Sequence, residues 1–195
     1  MISKKAKKMS GAAHIAHSEA KGTEGERKFY DSCMAKKLNV KKTPKKDDIN
    51  HIDFIVDGKT YDVKGLKASH NNGLIVLEKI NVQGKQGWCN PDGVPEWVAF
   101  DFGIFFLCVK NLDLYNLMEE CCDLEDLAPN AMKCYHRGWT RKGRKDLITM
   151  VGLNEVFVSC EHWILPIQKY HQKMEQASRE EVDDLLTPQN WSGDQ

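Results

Sequence analysis

Apolar positions along the chain change spacing several times, and each change marks an element. Glu26, Phe29, Tyr30, Cys33 and Lys37 lie at i, i+3, i+4, i+7 and i+11, and Thr23-Glu24-Gly25-Glu26 has the Thr-x-x-Glu form of a capping box. A helix is therefore predicted from Thr23 to about Lys37. The spacing then shortens. His51 to Val56 and Lys59 to Lys64 are β-rich runs flanking Asp57-Gly58, the dipeptide favoured in a two-residue type I′ turn. Leu74 to Val82 reads as a third strand, and Trp97 to Phe102 with Ile104 to Val109 as one or two buried strands around Gly103. An amphipathic helix is predicted from about Leu112 to Cys122, with Leu114, Leu117, Met118 and Cys121 on one face. Asp146 to Val151 reads as another strand, and the chain from about Ile167 as helical and acidic.

Between these elements lie polar stretches. Residues 1–21 are basic and lack apolar periodicity, which predicts a tail, either untethered or able to touch phosphates. Lys41 to Asp48 is a charged loop containing Pro44, and residues 123–145 read as irregular, with a basic run at Arg137, Arg141, Lys142, Arg144 and Lys145. Gln83 to Pro95 is too rich in Gly and Pro for a helix or a central strand. Such a loop is a common carrier of binding residues.

Counting outward from Asp57-Gly58 gives the hairpin its register. Val56 faces Lys59, Ile55 faces Thr60, Phe54 faces Tyr61 and Asp53 faces Asp62, followed by Ile52 with Val63 and His51 with Lys64. Residues opposite each other share a sheet face, as do residues two apart. One face then carries His51, Asp53, Asp62 and Lys64, and the other Ile52, Phe54, Tyr61 and Val63. Two carboxylates directly opposite destabilise a sheet unless a cation lies between them. A divalent metal and the Lys64 ammonium are the available cations, so the hairpin reads as a metal site. Glu26 reads equally well as the capping partner of Thr23 and as a carboxylate aimed at the hairpin. Glu78, among apolar neighbours in the third strand, is an auxiliary candidate.

Composition narrows the class. At 195 residues the chain is long enough for one core and a small appendage. Lys+Arg of 28 against Asp+Glu of 28 leaves no net charge, so only the local lysine clusters argue for an anionic partner. Seven cysteines, an odd number at irregular spacing, do not form a disulfide framework and favour a reducing, intracellular location. The longest apolar run, Ile104 to Val109, is too short to span a bilayer, so no membrane partner is expected.

Asp53, then Asp62-Val63-Lys64 on the adjacent strand, preceded by an acidic residue in an early helix, resembles the active-site pattern of the PD-(D/E)XK nuclease superfamily. Glu26-Arg27 at the helix start is similar to its Holliday-junction-resolvase branch. Tyr61 to Lys67, Asn81 to Trp88 and Arg144 to Thr149 look like segments of small, phage-type members. The resemblance covers about residues 22–152. It implies an α/β, restriction-endonuclease-like mixed β-sheet flanked by helices, with residues 153–195 as a mainly helical, acidic C-terminal extension. It also implies a Mg²⁺-dependent endodeoxyribonuclease, with Mn²⁺ as an alternative metal. Asp53, Asp62 and the Val63 carbonyl would hold the metal, because hard cations take oxygen ligands. Lys64 would assist the attacking water, and Glu26 would position Lys64 or help bind a second metal. His51 and Glu78 are auxiliary. DNA contacts are expected from Lys42, Lys45, Lys46, Lys67, Lys85 and Trp88. A homodimer is expected by analogy. Two other classes compete: a non-catalytic nucleic-acid-binding domain of the same fold, and a zinc-stabilised interaction domain using Cys134, His136, Cys160 and His162.

Overall fold

A computed structural model describes residues 24–44, 51–65 and 72–167. Thr23, Lys45, Lys46, Lys67, the basic N-terminal segment and the acidic C-terminal segment lie outside the described residues. The described part is α/β, with a mixed sheet and three α-helices. Among the described residues, no helix is long and apolar enough to cross a membrane.

The elements run α1 (24–35), β1 (Val40–Lys42), β2 (Phe54–Val56), β3 (Lys59–Lys64), β4 (Leu74–Ile80), β5 (Trp97–Asp101) and β6 (Phe105–Lys110). They continue with α2 (Asn111–Cys121), β7 (Asp123–Leu127), β8 (Arg137–Gly138), β9 (Leu147–Gly152), α3 (Leu153–Ser159) and β10 (His162–Pro166). Six strands form the main sheet in the order β1-β2-β3-β5-β6-β10. Only β3 and β5 within it are parallel, with Asp62 beside Val98 and Lys64 beside Phe100. A parallel pair needs a crossover connection, and here β4 and the loop after it supply one in place of a helix. β4 is not a member of the main sheet; it pairs with β9 as a separate antiparallel ribbon.

Two cores lie on the two faces of the main sheet. On one, α1 buries Phe29 and Cys33 against Phe54, Tyr61, Val63, Trp97, Ala99 and Phe106. The Phe29 ring meets Phe54 at 5.5 Å, Tyr61 at 5.6 Å and Phe106 at 5.3 Å between centroids. Burying such a ring contributes about 1.5–3 kcal/mol. On the other face, Val98, Phe100, Leu107 and Val109 pack against Ile75 and Leu77 of β4, Leu114 and Met118 of α2 and Val156 of α3. Alternation along β5 sends Trp97 and Ala99 to the first core and Val98 and Phe100 to the second, and along β3 it sends Tyr61 and Val63 to the first.

Several expectations need correction. Val40–Lys42 is an edge strand paired with β2, not part of a loop. Lysines at an edge suit a strand that must not pair further. Cys121, expected on the apolar face of α2, is exposed, and Asn111 is buried instead. The core does not stop at residue 152. α3 packs into it, and β10 is the outer strand beside β6, ending in Pro166 as an edge strand can.

Candidate active site around Asp53, Asp62 and Lys64

The hairpin turn forms as the sequence predicts. Asp57 and Gly58 have φ of 48° and 84°, and the register is Val56–Lys59, Ile55–Thr60 and Phe54–Tyr61. Beyond that pair the register departs from expectation. The Asp53 amide donates to the Tyr61 carbonyl at 2.8 Å, so the chain bends at Asp53 instead of bringing it opposite Asp62. Thr43 holds the bend: its amide donates to the Asp53 carbonyl at 2.9 Å, and its hydroxyl donates to the carbonyls of Ile52 and Asp53. His51, at φ 54°, is turned out of the hairpin, and the pairs Ile52–Val63 and His51–Lys64 do not form.

The bend gives the Asp53 carboxylate another partner. Its Oδ2 accepts the Val63 amide at 2.7 Å. In a strand the N–H and C=O of one residue point to the same edge, so the Val63 carbonyl also faces this corner. Burial pushes the Asp53 carboxyl up to about 7, and the Asp62 charge adds to the shift. The Val63 amide and Lys64 oppose it, and Glu26 adds a smaller upward push.

Asp62 and Lys64 share a face of β3. Asp62 is 4% exposed, and its Oδ2 lies 2.5 Å from the Lys64 ammonium. That contact is an ion pair without hydrogen-bond geometry, so Asp62 Oδ2 is a buried oxygen with no hydrogen-bond partner. A buried carboxylate is costly unless a cation or donor reaches it, and here the Lys64 ammonium is that cation. Lys64 in turn lies over the Trp88 ring, 4.9 Å from its centroid. Trp88 is 4% exposed and meets Phe100 edge-on at 5.9 Å. It forms the floor under Lys64 and is not presented to a base, contrary to its expected role in DNA contact. Gly25 brings the start of α1 against the end of β3. A Cβ there would lie 3.1 Å from the Gly65 Cα.

The other expected residues fall elsewhere. Glu26 is turned to Lys42, whose ammonium it meets at 2.7 Å, and not to Lys64. Leu77 points into the core, so alternation along β4 sends Glu78 to the opposite side. His51 and Lys85 line a cleft beside the loop after β4. Lys28 and Asp101 are a pair the sequence did not single out: Asp101 is 1% exposed and meets the Lys28 ammonium at 3.5 Å, tying α1 to the end of β5.

No family model matches the sequence, and neither the curated proteins nor the solved structures contain a match. The site therefore rests on its own chemistry. Among the described residues, no group of three or more His, Cys, Asp and Glu side chains is arranged to hold a metal. Cys134 is instead bonded to the Ala131 carbonyl, His136 to Glu155 and His162 to the Cys160 carbonyl, so the zinc set is not assembled. Zinc needs a complete set of side-chain ligands. Mg²⁺ needs only one or two carboxylates, with water and phosphate completing its shell. Asp53, Asp62 and the Val63 carbonyl fit that second requirement.

Proposed function

We propose that this protein is a metal-dependent endonuclease hydrolysing DNA phosphodiester bonds at the Asp53–Asp62–Lys64 centre, on a restriction-endonuclease-like fold. The observation that carries the reading is the buried Asp62 carboxylate, ion-paired to Lys64 at 2.5 Å with no hydrogen-bond donor on its Oδ2, beside a second buried carboxylate, Asp53, pushed up to about 7. A merely structural sheet face gains nothing from two such acids and one lysine.

Asp53, Asp62 and the Val63 carbonyl would hold Mg²⁺ or Mn²⁺. Bound there, the ion supplies neutralisation of phosphate charge and a water of lowered pKa. The chain's own residues do the rest. Val63 fixes the Asp53 carboxylate through its amide. Lys64, resting on Trp88, presents a cation where negative charge develops on the phosphoryl oxygens, or orients the attacking water. Lys42 stands 2.7 Å from Glu26 on the β1 edge, where incoming phosphate can compete for it. The expected DNA contacts of Lys42 and Lys85, the intracellular location and a symmetric dimer belong to the same proposal.

Mn²⁺ binding followed by electron paramagnetic resonance tests the metal centre. Wild type should take up the ion and Asp62→Asn should lose it. Equal uptake by both would remove this centre as the metal site.

The second reading, a nucleic-acid-binding domain without catalysis, draws on the basic turn around Lys145 and survives loss of cleavage with retained DNA binding.

A further inference from the structure

A cleft of about 320 Å³ lies against the loop after β4 and is lined by none of the residues that would hold the metal. His51, Asn81, Lys85, Gln86, Asn90 and Asp92 line it. It adjoins the centre at two points. His51 precedes Asp53 by two residues, and Gln86 precedes Trp88, the floor of Lys64, by two.

The cleft wall is built rather than loose. Asn90 is 6% exposed, and its amide donates to the carbonyls of Gly87 at 3.3 Å, Trp88 at 3.1 Å and Val94 at 2.8 Å. Asn81 Oδ1 accepts the amides of Gln83 at 3.0 Å and Lys85 at 3.1 Å. Gly87 is pinned, since a Cβ there would stand 2.2 Å from the Glu78 carbonyl oxygen. The Gln86 and Asp92 side chains meet at 3.3 Å and leave both donor and acceptor capacity facing the cleft.

The mixture identifies the ligand class. The Asp92 carboxylate offsets the Lys85 ammonium in the lining, so the cleft has no excess positive charge to hold a phosphate, while the Gln86 amide, the His51 imidazole and the Asp92 carboxylate together match a neutral heterocycle bearing donors and acceptors. Cations stand at the rim. The Lys145 stem lies on Gly84, 2.9 Å from where a Cβ would be, which brings the exposed turn of Lys142, Arg144 and Lys145 against this loop. A basic rim for phosphates and a polar slot for hydrogen bonds to a base edge are two of the elements by which single strands are recognised, and the His51 imidazole is the ring available for stacking. A cavity of this size admits one nucleotide and not a duplex.

We infer that this cleft takes an unpaired nucleobase next to the scissile phosphate, so that the substrate carries a single-stranded segment. The inference rests on the nuclease reading for its orientation, but its test does not need cleavage. Fluorescence anisotropy with Ca²⁺ in place of Mg²⁺ compares a blunt duplex, the same duplex with a single-stranded overhang, and that overhang made abasic. The intact overhang should bind about tenfold tighter than the other two, the scale of one or two lost hydrogen bonds. Gln86→Ala, at an exposed position, should erase most of that preference and leave the duplex affinity and melting temperature unchanged. Equal affinity for intact and abasic overhangs, or a preference untouched by Gln86→Ala, overturns the inference. If the preference holds and no condition gives cleavage, the cleft stands and the nuclease reading falls. If cleavage holds without the preference, the reverse is true.

Discussion

The Val63 amide donates to Asp53 Oδ2 at 2.7 Å, across the corner where the regular hairpin ladder has ended. That bond keeps a carboxylate buried near a second one, and burial with the Asp62 charge lifts Asp53 to about 7.

Stability should consequently fall as pH rises. In the unfolded chain Asp53 titrates near the ordinary value of about 3.9, so between about pH 4 and pH 7 the folded state binds more protons and stability drops. Asp53→Asn should remove that slope and raise stability at pH 8 by on the order of 1 kcal/mol, while abolishing activity. Urea unfolding across this pH range reads both effects. Metal binding should release a proton below pH 7, so Mg²⁺ should protect the wild type against unfolding more at pH 8 than at pH 6.

Asp62 and Lys64 should be strongly coupled. Lys64→Met alone leaves a buried carboxylate without its cation and should destabilise by about 3–5 kcal/mol. The double change Asp62→Asn with Lys64→Met should recover most of that, without recovering activity. A double-mutant cycle on thermal or urea unfolding gives the interaction energy.

Trp88 should act through Lys64. Trp88→Phe keeps an aromatic floor with a weaker attraction for the ammonium, a loss of about 0.5–1 kcal/mol. It should lower kcat several-fold with little change in KM. Trp88→Ala opens a cavity against Phe100 and should destabilise by about 3–5 kcal/mol, visible as a lowered melting temperature.

Gly87 has no room for a side chain. Gly87→Ala must displace the Glu78 backbone and should destabilise by more than about 2 kcal/mol. Gly58→Ala offers the contrast: there the space is open, and only the positive φ of 84° opposes the methyl group, so about 1 kcal/mol is expected.

The hairpin was readable from sequence because its determinants are local. Asp57-Gly58 sets the turn, and the first three cross-strand pairs follow by counting. The face assignment of Tyr61 and Val63 against Asp62 and Lys64 follows too, since alternation needs no tertiary information. Reading failed at Asp53, where Thr43 from a distant segment captures the backbone. Val40–Lys42 was missed because two of its three residues are lysines, acceptable on an edge strand and silent in a hydrophobic pattern. His162–Pro166 was missed because a five-residue strand ending in proline carries little periodic signal. β4 read correctly as a strand, yet its partner β9 lies about seventy residues away and nothing local names it. Trp88 shows the same limit. Its residue type allows base stacking, and only the packed fold reveals Phe100 on one side and Lys64 on the other.

The central claim is hydrolysis at the Asp53–Asp62–Lys64 centre, and nicking of supercoiled plasmid in Mg²⁺ tests it most directly. Wild type should convert supercoiled to relaxed or linear DNA, EDTA should stop it, and Asp62→Ala should reduce the rate at least a hundredfold while the protein remains folded. Identical nicking by wild type and Asp62→Ala, or none by wild type on supercoiled, branched and single-stranded DNA alike, would contradict the account.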